Sequence, residues 1–231
     1  TDLLGDSDNI ILGGFGADEI TLGSGTAVVL GDNGIVNRTG GIGLGALANI
    51  TRVATTDLFT LASADDTILS RGGTNIILGG VGADRIEATG GSQNIILGDN
   101  GEVNLNQALA NDIFSIATGP GALGDDDTIL AGGNDVILGG FGNDLIRLGG
   151  GRAVVLGDNG YVDRVGGIGL GTLEGVTRVF TTDLANLTRP DDDDVDTDPE
   201  PAADDTILSR GGVNVILGGV GEDLIQASDG S

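Results

Sequence analysis

The chain reads as all-β, a long array of short turn–strand units. Three observations predict this. Glycine-rich turns recur with a basic period of nine residues. A branched aliphatic residue returns at the eighth position of each unit. The composition holds 45 Gly in 231 residues but only 3% aromatics, so the apolar mass is Ile, Leu and Val in short runs. A thin core between sheets suits that composition better than a globular one.

The units can be followed in order. The first stretch runs LGDSDNIIL, GGFGADEIT, LGSGTAVVL, GDNGIVNRT from Leu4 without a slip. The second runs LASADDTIL, SRGGTNIIL, GGVGADRIE, then ATGGSQNIIL with one inserted residue, then GDNGEV from Gly98. The third opens on DDTIL ending at Leu130, continues with the shortened AGGNDVIL, and returns to register as GGFGNDLIR, LGGGRAVVL and GDNGYVDRV from Gly139. The fourth is EPAADDTIL, SRGGVNVIL and GGVGEDLIQ from Glu200. Glycine supplies positive φ and close backbone approach in such turns. The aliphatic column reads Ile11, Ile20, Val29, Ile68, Ile77, Ile86, Ile96, Ile129, Ile137, Ile146, Val155, Ile207, Ile216 and Ile225. Its regular spacing predicts one inward-facing row.

A longer order overlies the nine. NRTGGIGLGALANITRVATTDL from Asn37 matches DRVGGIGLGTLEGVTRVFTTDL from Asp163, so the first and third units are siblings. The array therefore divides into units 1–64, 65–124, 125–203 and 204–231, one elongated domain. After each GDNG comes a longer excursion, roughly 35–64, 102–124 and 161–203. ITRVATTD and VTRVFTTD are β-branched with partial alternation and predict strands; whether they form hairpins or widen the array is open at this stage. RPDDDDVDTDPEPAADD, spanning the acidic loop 189–203, combines like charge with Pro and reads as a solvated loop.

Net charge is −25, all ten cations are Arg, and there is no His and no Cys. Such a surface repels nucleic acid and anionic membranes. No apolar run approaches a membrane span, so no membrane insertion is expected. Mean hydropathy of +0.17 and strong aliphatic periodicity argue against a disordered acidic chain. Without His or Cys the common general base and thiol nucleophile are missing. Paired carboxylates can hydrolyse glycosides, but here they repeat along an array instead of meeting once. A non-catalytic role is expected. GIGLGA from Gly41 superficially matches a dinucleotide fingerprint but lacks the strand–helix setting, and Asn49-Ile50-Thr51 and Asn186-Leu187-Thr188 are sequons short enough to arise by chance.

The acids sort by turn. One edge of the array carries Asp18 and Asp32, then Asp66, Asp84 and Asp99, then Asp127, Asp144 and Asp158, then Asp205 and Asp223. The other carries Asn9, Asn75, Asp135 and Asn214, with Ala27, Asn94 and Ala153 between. Carboxylates and exposed glycine carbonyls are the oxygen ligands a hard cation takes. The pairs Asp66–Asp84, Asp127–Asp144 and Asp205–Asp223 are the strongest candidates. The bland alternative is turn chemistry, since Asp and Asn bond their own backbone. It weighs most for Asn75 and Asn214, where a turn or a side-chain ladder is expected.

GGFGADEIT, GGVGADRIE, GGFGNDLIR and GGVGEDLIQ each fit G-G-x-G-x-D-x-U-x, U being large and apolar. The chain thus resembles the RTX-type, or hemolysin-type, calcium-binding repeats over a little more than half its length. GDNG departs from that pattern, with Asp at the second position. The resemblance implies a right-handed parallel β-roll, or β-solenoid, with two nonapeptides per coil. It implies several calcium ions held by the ten aspartates named above, and an extracellular or bacterial cell-surface location. The chain starts and stops inside its own repeat, as a segment of a giant secreted protein would. The expected role is a calcium-stiffened stalk or fibre whose partners are calcium and flanking repeats or other copies stacked head to tail. The alternatives are an adhesin using the excursions, or a folding and export segment of a secreted toxin or enzyme.

Overall fold

The computed structural model describes residues 8–39, 50–56, 64–90, 93–105, 113–115, 125–164, 175–182 and 203–228, with backbone alone for 113–115. The described residues are all-β and fall into two sheets, one of twelve parallel strands and one of six antiparallel strands. GIGLGA, both sequon asparagines and residues 189–202 of the acidic loop lie outside the described residues.

The parallel sheet consists of two runs. The first pairs β1 (Asn9–Leu12), β3 (Ala27–Leu30), β7 (Thr74–Gly80), β9 (Gln93–Asp99), the later halves of β12 (Thr128–Gly140) and β13 (Leu145–Asp158), and β17 (Val213–Leu217). The second pairs β2 (Glu19–Leu22), β6 (Thr67–Ser70), β8 (Arg85–Ala88), the earlier halves of β12 and β13, β16 (Thr206–Ser209) and β18 (Leu224–Ala227). The chain alternates between the runs, so strands with no excursion between them pair about 18 residues apart, as Asn9 with Ala27 and Thr67 with Arg85, while a pair that spans an excursion, such as Ala27 with Asn75, lies 48 residues apart. β12 and β13 join the runs, passing through a register shift between Ala131 and Gly133, in the shortened block.

The eighth-position column forms the core between the runs. Val29, Ile77, Ile96, Ile137 and Val155 of the first run join Ile20, Ile68, Ile86, Ile129, Ile146 and Ile207 of the second in one cluster, with Ile11 and Ile216 packed against it. Ile225, in the edge strand β18, is instead 44% exposed.

The excursions form the second sheet. β4 (Gly34–Arg38) pairs with β5 (Ile50–Thr55), β10 (Gly101–Asn104) with β11 (Ile113–Ser115), and β14 (Gly160–Arg164) with β15 (Val176–Thr181), all antiparallel. These hairpins join edge to edge in the order β15-β14-β11-β10-β5-β4. Their inner face, with Ile50, Val53, Val103 and Val162, packs on Val28, Leu30, Ile76, Leu78, Ile95, Leu97, Val136, Leu138, Val154 and Leu156 of the first run. The physical reason is legible in the strands. NIIL and AVVL are apolar on both faces and need cover on both. EITL, TILS and RIEA alternate, with one face apolar.

Replacing Ile96, fully buried, with Ala is expected to cost about 2–5 kcal/mol, whereas Ile225→Ala costs well under half of that. Urea unfolding midpoints of the two variants, at unchanged m, check the contrast.

Candidate cation-binding edge

Every turn leading from a first-run strand to a second-run strand ends on an aspartate. These are Asp18, Asp66, Asp84, Asp127, Asp144, Asp205 and Asp223, each at or next to the first residue of β2, β6, β8, β12, β13, β16 and β18. Parallel pairing of the following strands stacks the seven in one column. Each backbone N–H in the column donates to the Oδ1 of the next aspartate: Asp18 to Asp66 at 2.6 Å, Asp66 to Asp84 at 2.7 Å, Asp84 to Asp127 at 2.7 Å, Asp127 to Asp144 at 2.9 Å, Asp144 to Asp205 at 2.8 Å and Asp205 to Asp223 at 3.1 Å. The three pairs expected from sequence are rungs of this ladder. Sequence reasoning missed that Asp18–Asp66, Asp84–Asp127 and Asp144–Asp205 are rungs as well. The excursions do not break the column, because each leaves at GDNG and returns at the doubled aspartate before T-I-L.

The second carboxylate oxygens have a different environment. Oδ2 of Asp18, Asp66, Asp84, Asp127, Asp144 and Asp205 is buried with no hydrogen-bond partner. Each lies against the α-carbon of a glycine together with a carbonyl oxygen from the next turn. At Gly31 these are Asp66 Oδ2 and Gly79 O; at Gly79, Asp84 Oδ2 and Gly98 O; at Gly98, Asp127 Oδ2 and Gly139 O. At Gly139 they are Asp144 Oδ2 and Gly157 O, and at Gly157 Asp205 Oδ2 and Gly218 O. A Cβ at any of these glycines would collide with both oxygens. The edge is therefore built to bring pairs of oxygens together with no donor between them.

Five of these carboxylates are only 1–2% exposed (Asp66, Asp84, Asp127, Asp144 and Asp205). Burial, reinforced by neighbouring carboxylates, pushes Asp66 and Asp205 up to about 7 and Asp84 up to about 9. The same causes push Asp127 and Asp144 well above the usual carboxylate range. A buried oxygen without a donor holds its charge only beside a cation; otherwise it takes a proton.

The GDNG aspartates sit beside the ladder but are used differently. Asp32 Oδ2 accepts the Val81 N–H at 2.7 Å, Asp99 Oδ2 accepts that of Phe141, and Asp158 Oδ2 accepts that of Val220. Asp99 is itself raised, first by burial and then by Asp144. A further outer column also escaped the sequence reading. Asp65, Asp126 and Asp204 accept the N–H of Ala83, Asn143 and Glu222 at 3.2, 2.8 and 2.7 Å, clamping the next turn. The signal for them was the repeated D-D-T-I-L, whose first aspartate has no place in the nonapeptide pattern.

The opposite edge carries amides. Asn75 Nδ2 donates to Asn94 Oδ1 at 2.8 Å, and Asn94 Nδ2 to Asp135 Oδ1 at 2.7 Å. Asn75 and Asn214 also bond Ser70 and Ser209 across their own turns. This is the side-chain ladder expected there. It ends on Asp135, which burial raises to about 6.

The donor set of the aspartate edge is oxygen only, which fits a hard divalent cation such as calcium, with six to eight oxygen ligands of which water can supply several. Among the described residues no three carboxylates close on one point, so any ion there would draw on Asp Oδ2 and glycine carbonyls together. No protein-family model, curated protein or solved structure matches the chain.

Two outcomes are expected. Gly98→Ala forces a Cβ onto Asp127 Oδ2 and Gly139 O and should cost about 3 kcal/mol, while Gly150→Ala, with open space around it, should be near neutral; thermal or urea unfolding compares them. In chelator, carboxylates with folded values of about 7 and 9 bind protons more tightly than the unfolded chain at about 4. Their stabilising contribution is thus complete below about pH 4 and lost as pH rises through those folded values. In chelator, strand content by circular dichroism should be retained near pH 5 and lost near pH 9; the reverse order would contradict the burial of uncompensated carboxylates.

Proposed function

We propose that the chain is a non-catalytic structural segment of a large extracellular repeat protein, a right-handed parallel β-roll of RTX type stiffened by calcium. The observation that carries this reading is the column of buried Oδ2 atoms, each sharing a glycine face with a carbonyl oxygen and lacking any donor. Asp18, Asp66, Asp84, Asp127, Asp144, Asp205 and Asp223 supply the carboxylates, with the glycine carbonyls between them. Bound calcium supplies the positive charge that the edge lacks. The residues themselves supply spacing, exclusion of water and alignment of the strands that follow.

The alternation of the two runs supports the roll. Parallel pairs link strands about 18 residues apart where no excursion intervenes, as Thr67 with Arg85, and the eighth-position column forms most of the core between the runs. The hairpins support the structural reading over the adhesin reading, because their inner faces are spent covering the first run. One cluster favours adhesion instead. Tyr161 and Phe180 stack with ring centroids 4.9 Å apart, with Arg178 over the Phe180 ring, on the face opposite Val162 and Val179.

At neutral pH, circular dichroism is expected to show strand content with calcium and its loss with EGTA, and terbium luminescence is expected to report several ions. Strand content unchanged by EGTA would sink the calcium reading. In a crystal soaked with a lanthanide, density is expected along the aspartate edge; equal occupancy of the asparagine edge would also sink it.

A further inference from the structure

The three GDNG aspartates stand outside the N–H to Oδ1 ladder, yet all three are 2–3% exposed. In sequence they look like further ligands. Their contacts give them another task. Each spends Oδ2 on the N–H at the third position of the next G-G-x-G turn: Val81, Phe141 and Val220. That turn is held in a conformation open to glycine, with φ of +121° at Gly80, +121° at Gly140 and +130° at Gly219. A Cβ at any of these would strike the same carboxylate.

The first glycine of each clasped turn supplies a carbonyl oxygen to the aspartate edge. Gly79 O meets Asp66 Oδ2 at the face of Gly31, Gly139 O meets Asp127 Oδ2 at Gly98, and Gly218 O meets Asp205 Oδ2 at Gly157. The arrangement is the same in all three units. The GDNG aspartate fixes the turn, and the turn aims its carbonyl at the ladder aspartate reached through the same excursion. We propose that Asp32, Asp99 and Asp158 are positioning residues that set the carbonyl half of the cation sites at Gly31, Gly98 and Gly157, and are not ligands themselves. The ligand half of this statement rests on the calcium reading; the clasp does not. The competing assignment would use Asp99 Oδ1, which is buried without a partner.

Asparagine separates the two. Its amide oxygen still accepts the Phe141 N–H, but it lacks the charge a calcium ligand supplies. In the full chain, Asp99→Asn is expected to keep terbium and calcium affinity within about threefold. Asp99→Ala is expected to weaken it roughly 10–100-fold, the usual loss when an outer-shell partner is removed. Asp127→Asn, on the ladder, should lose affinity even though it is equally conservative. Amide exchange at Phe141 gives the second readout: protected in wild type and Asp99→Asn, fast in Asp99→Ala. If Asp99→Asn loses as much affinity as Asp99→Ala, the aspartate is a ligand and the proposal is overturned; unchanged affinity in Asp99→Ala overturns it too. Should Asp99→Ala not fold, the contrast between Asp99→Asn and Asp127→Asn decides. Should the wild type bind no cation, the calcium reading fails by itself, and Phe141 exchange in chelator at mildly acidic pH still tests the clasp; fast exchange in wild type, or equal protection in Asp99→Ala, overturns it.

Discussion

The rest of the structure depends on a column of like charges held at strand spacing. Parallel strands stand about 4.8 Å apart. Two carboxylates at that separation in an effective dielectric near 20 repel by roughly 3 kcal/mol. Seven in a row, linked by direct N–H to Oδ1 bonds, set a repulsion comparable to the whole stability of a domain. Satisfying one oxygen does not remove the problem, because Asp66, Asp84, Asp127, Asp144 and Asp205 each keep the other buried without a partner. Protonation or cations must neutralise the column before the aliphatic core can close. Either way, the same backbone pairing that builds the core brings the charges together.

The two runs solve different burial problems with different strands. The second run needs one apolar face, and RIEA or LIRL provides it. The first run is apolar on both faces, and a sheet buried on both sides must be covered. The cover comes from the same chain, inserted after every second first-run strand. Hairpins that join edge to edge then become a sheet of their own, with Val53, Val103 and Val162 sitting over Ile76, Ile95 and Val154. Regular insertion explains why ITRVAT of β5 and VTRVFT of β15 are alike: both strands belong to the sheet that covers the same surface.

Much of this was legible in the sequence, and the limits have physical causes. The period of nine and the aliphatic column locate the core because turn and strand repeat without interruption. The sorting of acid from amide edges follows from counting turns alternately. The continuity of the ladder was not legible, because an excursion of some thirty residues hides whether the register survives it. Only the paired strands on each side, such as β2 with β6 and β8 with β12, show that it does. The hairpin sheet was half legible: ITRVATTD reads as a strand, but its partner is set by long-range packing. The role of GDNG was illegible, since Asp32, Asp99 and Asp158 contact backbone some 42 to 62 residues away.

GDNG ties the two halves of the architecture together. Its aspartate reaches the turn beside the ladder, and its last glycine begins a hairpin: Gly34, Gly101 and Gly160 open β4, β10 and β14. Gly34 and Gly160 are further constrained, because a Cβ there would enter the side chains of Leu30 and Leu156 and the carbonyls of Ala54 and Phe180. A disturbance on the charged edge therefore reaches the cover of the first run within three residues of chain. Neutralising the ladder and seating the hairpins are coupled steps, since the turn that presents the carbonyl is held by the residue that launches the hairpin. Such coupling makes an array of short units, each too small to hold a core alone, fold as a larger cooperative body. It also places the charged edge and the start of each covering hairpin on one short stretch of chain.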